Sequence, residues 1–196
     1  ASLQSTGLWL INIQMIGMLI GGIIWGIFGD KKGRLSVLFG SILLYSLANI
    51  ANGFVHSVTQ YAVLRFIAGV GLAGELGAGI TLVAESLPKE KRGFGAMIVA
   101  TIGLLGAVFA GIMGLLFQDN PDGWRICYFI GGGLGLLLLF MRIGLLESGM
   151  YKEVESDEEV KRGDFLMVFT SKERFFKFLK CVVIGFPIWY SIGILV

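Results

Sequence analysis

Five apolar runs, each near the ~20 residues that an α-helix needs to cross a bilayer, constrain this chain more than any other feature. They cover residues 8–28, 35–54, 61–83, 94–117 and 126–146, and a sixth starts near 178 and is still apolar at Val196. Backbone amides in lipid must be satisfied within their own segment, so runs of this length are expected as helices rather than strands. Composition agrees: 55% of residues are hydrophobic and 15% charged, against the ~25% charged of soluble domains, and mean hydropathy is +0.79. The 30 glycines follow no triplet period and suit helices that pack backbone to backbone. The fold class expected is therefore an all-α membrane protein.

Several function classes drop out at once. A net charge of +2 is too small for a nucleic-acid partner. Cys127 and Cys181 lie in apolar runs without metal-ligand spacing and read as small hydrophobes. Residues 1–7 lack the basic start of a signal peptide. No enzyme chemistry and no cofactor are expected. The chain starts without methionine and stops inside an apolar run, so both ends are expected to be cut from a longer protein.

Lysine and arginine set the expected topology. The connection at 30–34 carries Lys31, Lys32 and Arg34, that at 88–93 carries Lys89, Lys91 and Arg92, and that at 147–177 is long and charged. The 51–60 and 118–123 connections hold no lysine or arginine. Basic loops are thus expected in the cytoplasm, with Ala1 and the other loops outside and with Trp9 and Trp124 near the outer interface. The long connection is expected to form one or two amphipathic surface helices with Phe165, Leu166, Val168 and Phe169 as the apolar face.

The tightest cluster of polar residues closes the first run: Gly26, Gly29, Asp30, Lys31, Lys32, Gly33 and Arg34. The glycines at 26 and 29 would permit close packing, Gly33 a tight turn, and Asp30 would pair with Arg34 or cap the next helix. Two charges lie inside the third run. Arg65 either snorkels outward or lies in the groove that Gly69, four residues on, opens beside it. Glu75 lies ~15 Å further along the same helix, where desolvation disfavours its charged form. It is thus either a group that loads and releases a proton or a packing carboxylate. Asn12, Gln14 and Thr101 are polar within runs and are candidate substrate contacts. His56 falls in an outer loop and reads as solvated.

The 26–34 cluster resembles the signature of the major facilitator superfamily, G-x-x-x-D-[RK]-x-G-R, with Gly26, Asp30, Lys31, Gly33 and Arg34 at the fixed positions. Further stretches look like the metabolite:proton symporters, which include proline/betaine, citrate, 2-oxoglutarate and shikimate transporters. They are Arg65 through Gly69, Gly71 and Gly74 to Glu75; Ala84, Glu85, Pro88, Arg92 and Gly93; and Trp124, Arg125 and Ile126 followed by Arg142 and Glu147. Cys127 and Gly149 stand where that family has prolines, and the absence of a proline between Gly103 and Gly114 departs from the drug/proton antiporters.

The resemblance implies that the five full runs are helices two to six and that the last is the start of helix seven. It implies an N-terminal bundle at 1–146, a central cytoplasmic loop at 147–177 and the start of a C-terminal bundle at 178–196. The implied activity is proton-coupled symport of a small organic acid or zwitterion by alternating access, in a bacterial inner membrane. Alternatives are a sugar:proton symporter of the same superfamily or a non-transporting membrane scaffold. Arg65 and Glu75 would couple the proton. Glu85, Arg92 and Glu147 would join Asp30 and Arg34 in a cytoplasmic gate network. The implied partners are lipid, substrate, the proton as coupling ion, and the rest of the chain (helix 1 and helices 7–12).

Overall fold

The computed structural model describes residues 3–143 and 163–195, with side chains described for 5–143 and 163–185. The helices are α1 (Leu3–Lys32), α2 (Arg34–Asn52), α3 (Val58–Ser86), α4 (Arg92–Leu116), α5 (Gly123–Met141), α6 (Met167–Thr170) and α7 (Lys172–Leu195), with one 3₁₀ turn at Lys89–Lys91. Five of them, α1 to α5, are long and apolar enough to cross a membrane. The chain divides into two compact units, Ala1–Gly163 and Asp164–Val196.

Local chemistry explains the helix ends. α1 continues past its apolar run to Lys32 because Lys31 and Lys32 in its last turn face the negative end of the helix dipole. It stops at Gly33, whose φ of 92° is in the left-handed region. Gly33 donates to the Gly29 carbonyl at 3.2 Å and accepts from Val37 at 3.5 Å, so one residue closes α1 and opens α2. At the other end of α2, Ser57 caps α3 by accepting from the Gln60 amide at 3.2 Å, while Gln60 Oε1 accepts from the His56 amide at 3.1 Å. This reciprocal arrangement satisfies the Gln60 amide, which the helix start would orphan, and the His56 amide just before the cap.

Glycine decides which helices touch. Gly17 and Gly21, one turn apart on α1, lie against the α3 backbone at Phe66 and Val70, and Gly69 of α3 lies against the Gln14 carbonyl. Gly71 and Gly74 bring α3 onto Ser41 and Tyr45 of α2 and onto Trp25 of α1. Gly132 and Gly135 of α5 receive Ser46 and Ile50 of α2 in the same way. The result is a bundle in which α3 packs on α1 and α2, and α2 packs on α5. Its core is Val37, Leu38 and Ala78, with Trp25, Leu35 and Leu82 against it. The Trp25 indole donates to the Val70 carbonyl at 2.8 Å.

Two differences from the sequence expectation have physical causes. α5 ends at Met141 and gives way to a turn, five residues before the apolar run does, because apolarity continues regardless of backbone geometry. In the second unit the expected amphipathic face forms only one helical turn, α6, with the Phe165 and Phe169 rings edge to face at 5.6 Å. Lys172 to Lys177, expected in the connection, already belong to α7, and residues 147–162 lie outside the described residues.

Candidate functional site

The ends of α1 and α3 and the start of α2 bring together a three-residue ion cluster. Arg34, first in α2, donates from Nη1 to Asp30 at 2.8 Å and from Nη2 to Glu85 at 3.1 Å. Asp30 is one turn back along the chain, but Glu85 is 51 residues away and arrives only because α3 packs beside α1 and α2. Arg34 and Glu85 are mostly enclosed, whereas Asp30 is half exposed. Arg92 donates to the Leu87 carbonyl at 3.1 Å, tying the start of α4 to the α3 exit. Lys31 stands exposed beside the cluster. Glu147 lies outside the described residues.

Gly26 corrects one expectation. Unlike Gly29, whose Cβ would meet Arg34 Nη1 at 3.2 Å, Gly26 has nothing within 4 Å. It borders a cavity of about 230 Å³ that Trp25, Asp30, Arg34 and Thr81 also line. Among the described residues, the missing side chain leaves open space beside the ion cluster.

Within the spans, the two charges of α3 find different partners. Arg65 donates to Gln14 Oε1 on α1. The close approach at Gly69 makes this possible, since it sets α1 against α3 at Gln14 itself. The Arg65 guanidinium also lies 5.7 Å from the Tyr128 ring centroid, within cation–π range. Tyr128 meets Tyr61 hydroxyl to hydroxyl at 2.5 Å. Glu75 does not meet Arg65. It takes a two-pronged contact from Arg142, with Nη1 at 2.9 Å from Oε2 and Nη2 on Oε1.

Arg142 is the site residue that sequence reasoning did not single out, since it entered only as part of the stretch that resembles the metabolite:proton symporters. Its signal was a matter of register. Tyr61 and Tyr128 are 67 residues apart, and so are Glu75 and Arg142. α3 and α5 therefore run parallel in one register, bridged at two levels about four helical turns apart.

The remaining polar candidates are not gathered here. Asn12 is exposed on α1. Thr101 is exposed on α4 and returns its hydroxyl to the Met97 carbonyl at 2.9 Å, which satisfies it within its own helix. His56 is exposed, its backbone amide bound to Gln60. No group of three or more metal-ligating side chains forms among the described residues.

Five apolar helices among the described residues, with ion pairs inside and at the ends of the spans, define a multi-pass α-helical membrane protein. The family model of the Major Facilitator Superfamily matches residues 1–196, and the chain belongs to that superfamily, a family of transporters and not of enzymes. The chain is 36% identical over 124 residues to the niacin transporter NiaP of Acinetobacter baylyi, which covers 63% of this chain and 28% of that protein. It is 32% identical over 157 residues to the benzoate transport protein of the same organism, covering 77% of this chain and 33% of that protein. The chain thus spans about a third of the length of these curated relatives. In fold it is similar to the xylose transporter XylE from E. coli in a partially occluded inward-open conformation. The TM-score is 0.70 at 18% identity, over 77% of this chain and 41% of that one.

Proposed function

We propose that the complete protein is a proton-coupled symporter of small organic acids or zwitterionic metabolites, rocking two helical halves around a site near the membrane midplane. The observation that carries this is Glu75, a carboxylate inside a span, held by Arg142. Ionisable groups are expensive in that setting and are kept there for ion or substrate pathways. Niacin and benzoate, for which two relatives are named, are both monocarboxylates, the substrate class a guanidinium fork suits. The sugar reading gains nothing from the xylose transporter, since a likeness at 18% identity is one of fold alone.

In this reading the Asp30–Arg34–Glu85 cluster is the cytoplasmic gate, made in one state and broken in the other. The 30–34, 88–93 and 147–177 connections lie inside, and the membrane is the bacterial inner membrane. The test is uptake of a labelled metabolite panel by vesicles carrying the full reading frame, with and without an imposed pH gradient. Accumulation of at least one organic acid or zwitterion that collapses with the gradient is expected. Uptake of sugars alone, or of nothing, would remove the reading, and the latter result favours a scaffold.

A further inference from the structure

A guanidinium and a carboxylate that meet inside the spans form a neutral unit, and this one is held without being sealed. Arg142 grips both Glu75 oxygens, yet the two side chains stay about a quarter exposed. The two partners are not anchored equally. Arg142 is the C-cap of α5, its amide bound to carbonyls of the last turn, and the negative end of that helix favours a cation there. Glu75 has Arg142 as its side-chain hydrogen-bond partner and no other among the described residues. Gly71 and Gly74 precede it, so its own surroundings supply no side-chain donor one turn back. The end of α5 therefore favours a cation at Arg142 whether or not Glu75 is on it, while Glu75 off the fork has no other side-chain partner among the described residues.

We propose that Arg142 is the carboxylate-docking residue of this protein. An organic-acid substrate takes the place of Glu75 on the Arg142 fork, and the displaced Glu75 binds the co-transported proton. The idea rests on the organic acid:proton symport reading and assigns its two cargoes to two atoms groups of one ion pair. Before exchange, Arg142 carries one positive charge and Glu75 one negative. Afterwards the substrate anion neutralises Arg142, and a proton from water forms an O–H bond on Glu75, leaving it neutral. The site is neutral in both states, and one proton enters with one carboxylate. An anion alone would leave an excess negative charge, and a proton alone would strand Arg142. Both half-loaded states are disfavoured by desolvation, which is what coupling requires.

The titratable groups on the elements packed against α3 are engaged elsewhere. Asp30 of α1, Arg34 of α2 and Glu85 of α3 itself pair with one another about ten residues further along. Arg65 is bound to Gln14, and Arg92 of α4 to the Leu87 carbonyl. Lys31 and Lys32 end α1 beyond the Asp30 turn. Tyr45 of α2 lies against Gly71, one turn before Glu75, and is the phenol on that side.

The test uses the purified full-length protein in weakly buffered detergent, with benzoate and nicotinate as probes and benzamide and nicotinamide as neutral isosteres. Wild type should take up about one proton per carboxylate bound and none with the amides. Glu75→Gln removes the competing carboxylate, so it should bind benzoate about tenfold or more tightly than wild type above neutral pH, without proton uptake. Arg142→Gln should lose about tenfold or more in benzoate affinity, and Arg142→Lys should recover part of it. The double variant Glu75→Gln/Arg142→Gln strands no charge, so it should reach wild-type abundance in the membrane and still fail to bind benzoate. Wild-type benzoate affinity in Arg142→Gln, or proton uptake persisting in Glu75→Gln, overturns the proposal and leaves symport standing if wild type still accumulates carboxylates under a pH gradient. Failure of wild type to accumulate or bind any carboxylate removes both.

Discussion

Gly21 and Gly22 are neighbours in sequence and on one helix, yet replacing each by alanine should have opposite effects. A Cβ at Gly21 would come within 2.7 Å of Val70 Cα and 3.0 Å of its carbonyl carbon, both backbone atoms that cannot swing aside. Ordinary contact needs roughly 3.5 Å or more, so α1 and α3 would have to part by up to about 1 Å, a gap that forfeits a quarter to half of each dispersion contact. Spread over the face that Gly17, Gly21 and Gly69 hold together, the loss is about 1–3 kcal/mol, the usual range for overpacking. At Gly22 nothing lies within 4 Å, and alanine there gains about 0.5–1 kcal/mol of helix propensity. The two variants should therefore differ by about 1.5–4 kcal/mol, tenfold or more in folded to unfolded ratio. Denaturation of the full chain in mixed micelles, followed by tryptophan fluorescence, reads that difference. Equal stability of the two variants, or a less stable Gly22→Ala, would refute the assignment of α1's contact face.

Three further outcomes are expected. Asp30→Asn and Arg34→Ala should each impair transport by about tenfold or more while membrane abundance stays near wild type, because each removes a charge-assisted contact of the proposed gate; uptake at wild-type rate in both would disprove the gate. Ser57→Ala should lower stability by about 1 kcal/mol through loss of the α3 cap, measured as a lower unfolding midpoint, whereas the exposed Thr59→Ala should not. A membrane-impermeant thiol reagent should reach cysteine placed at Ser57 or Asn120 from outside intact cells and cysteine placed at Lys91 only from the cytoplasmic side, and the reverse pattern would invert every side assigned to the loops.

That the first five apolar runs form long helices was determined by the sequence alone. Apolar runs of that length place the backbone in lipid, and lipid leaves the helix as the form that satisfies its amides. The pairing of Asp30 with Arg34 was also legible, since it is local: one helical turn through Gly33, whose left-handed φ only glycine adopts readily. That Glu85 joins this cluster was implied by the family resemblance and is seen as a contact to Arg34; only the tertiary structure decided that Arg65 serves Gln14 and that Glu75 belongs to Arg142. It also separated Gly17, Gly21, Gly69 and Gly71, which admit a neighbouring backbone, from Gly22, Gly26 and Gly77, which meet nothing within 4 Å among the described residues. The reason is the solvent. Lipid tails and neighbouring helices are equally apolar, so hydropathy carries a helix into the membrane without recording which way it is turned. That rotation, set by contacts between residues far apart in the chain, is what brings charges together within the spans.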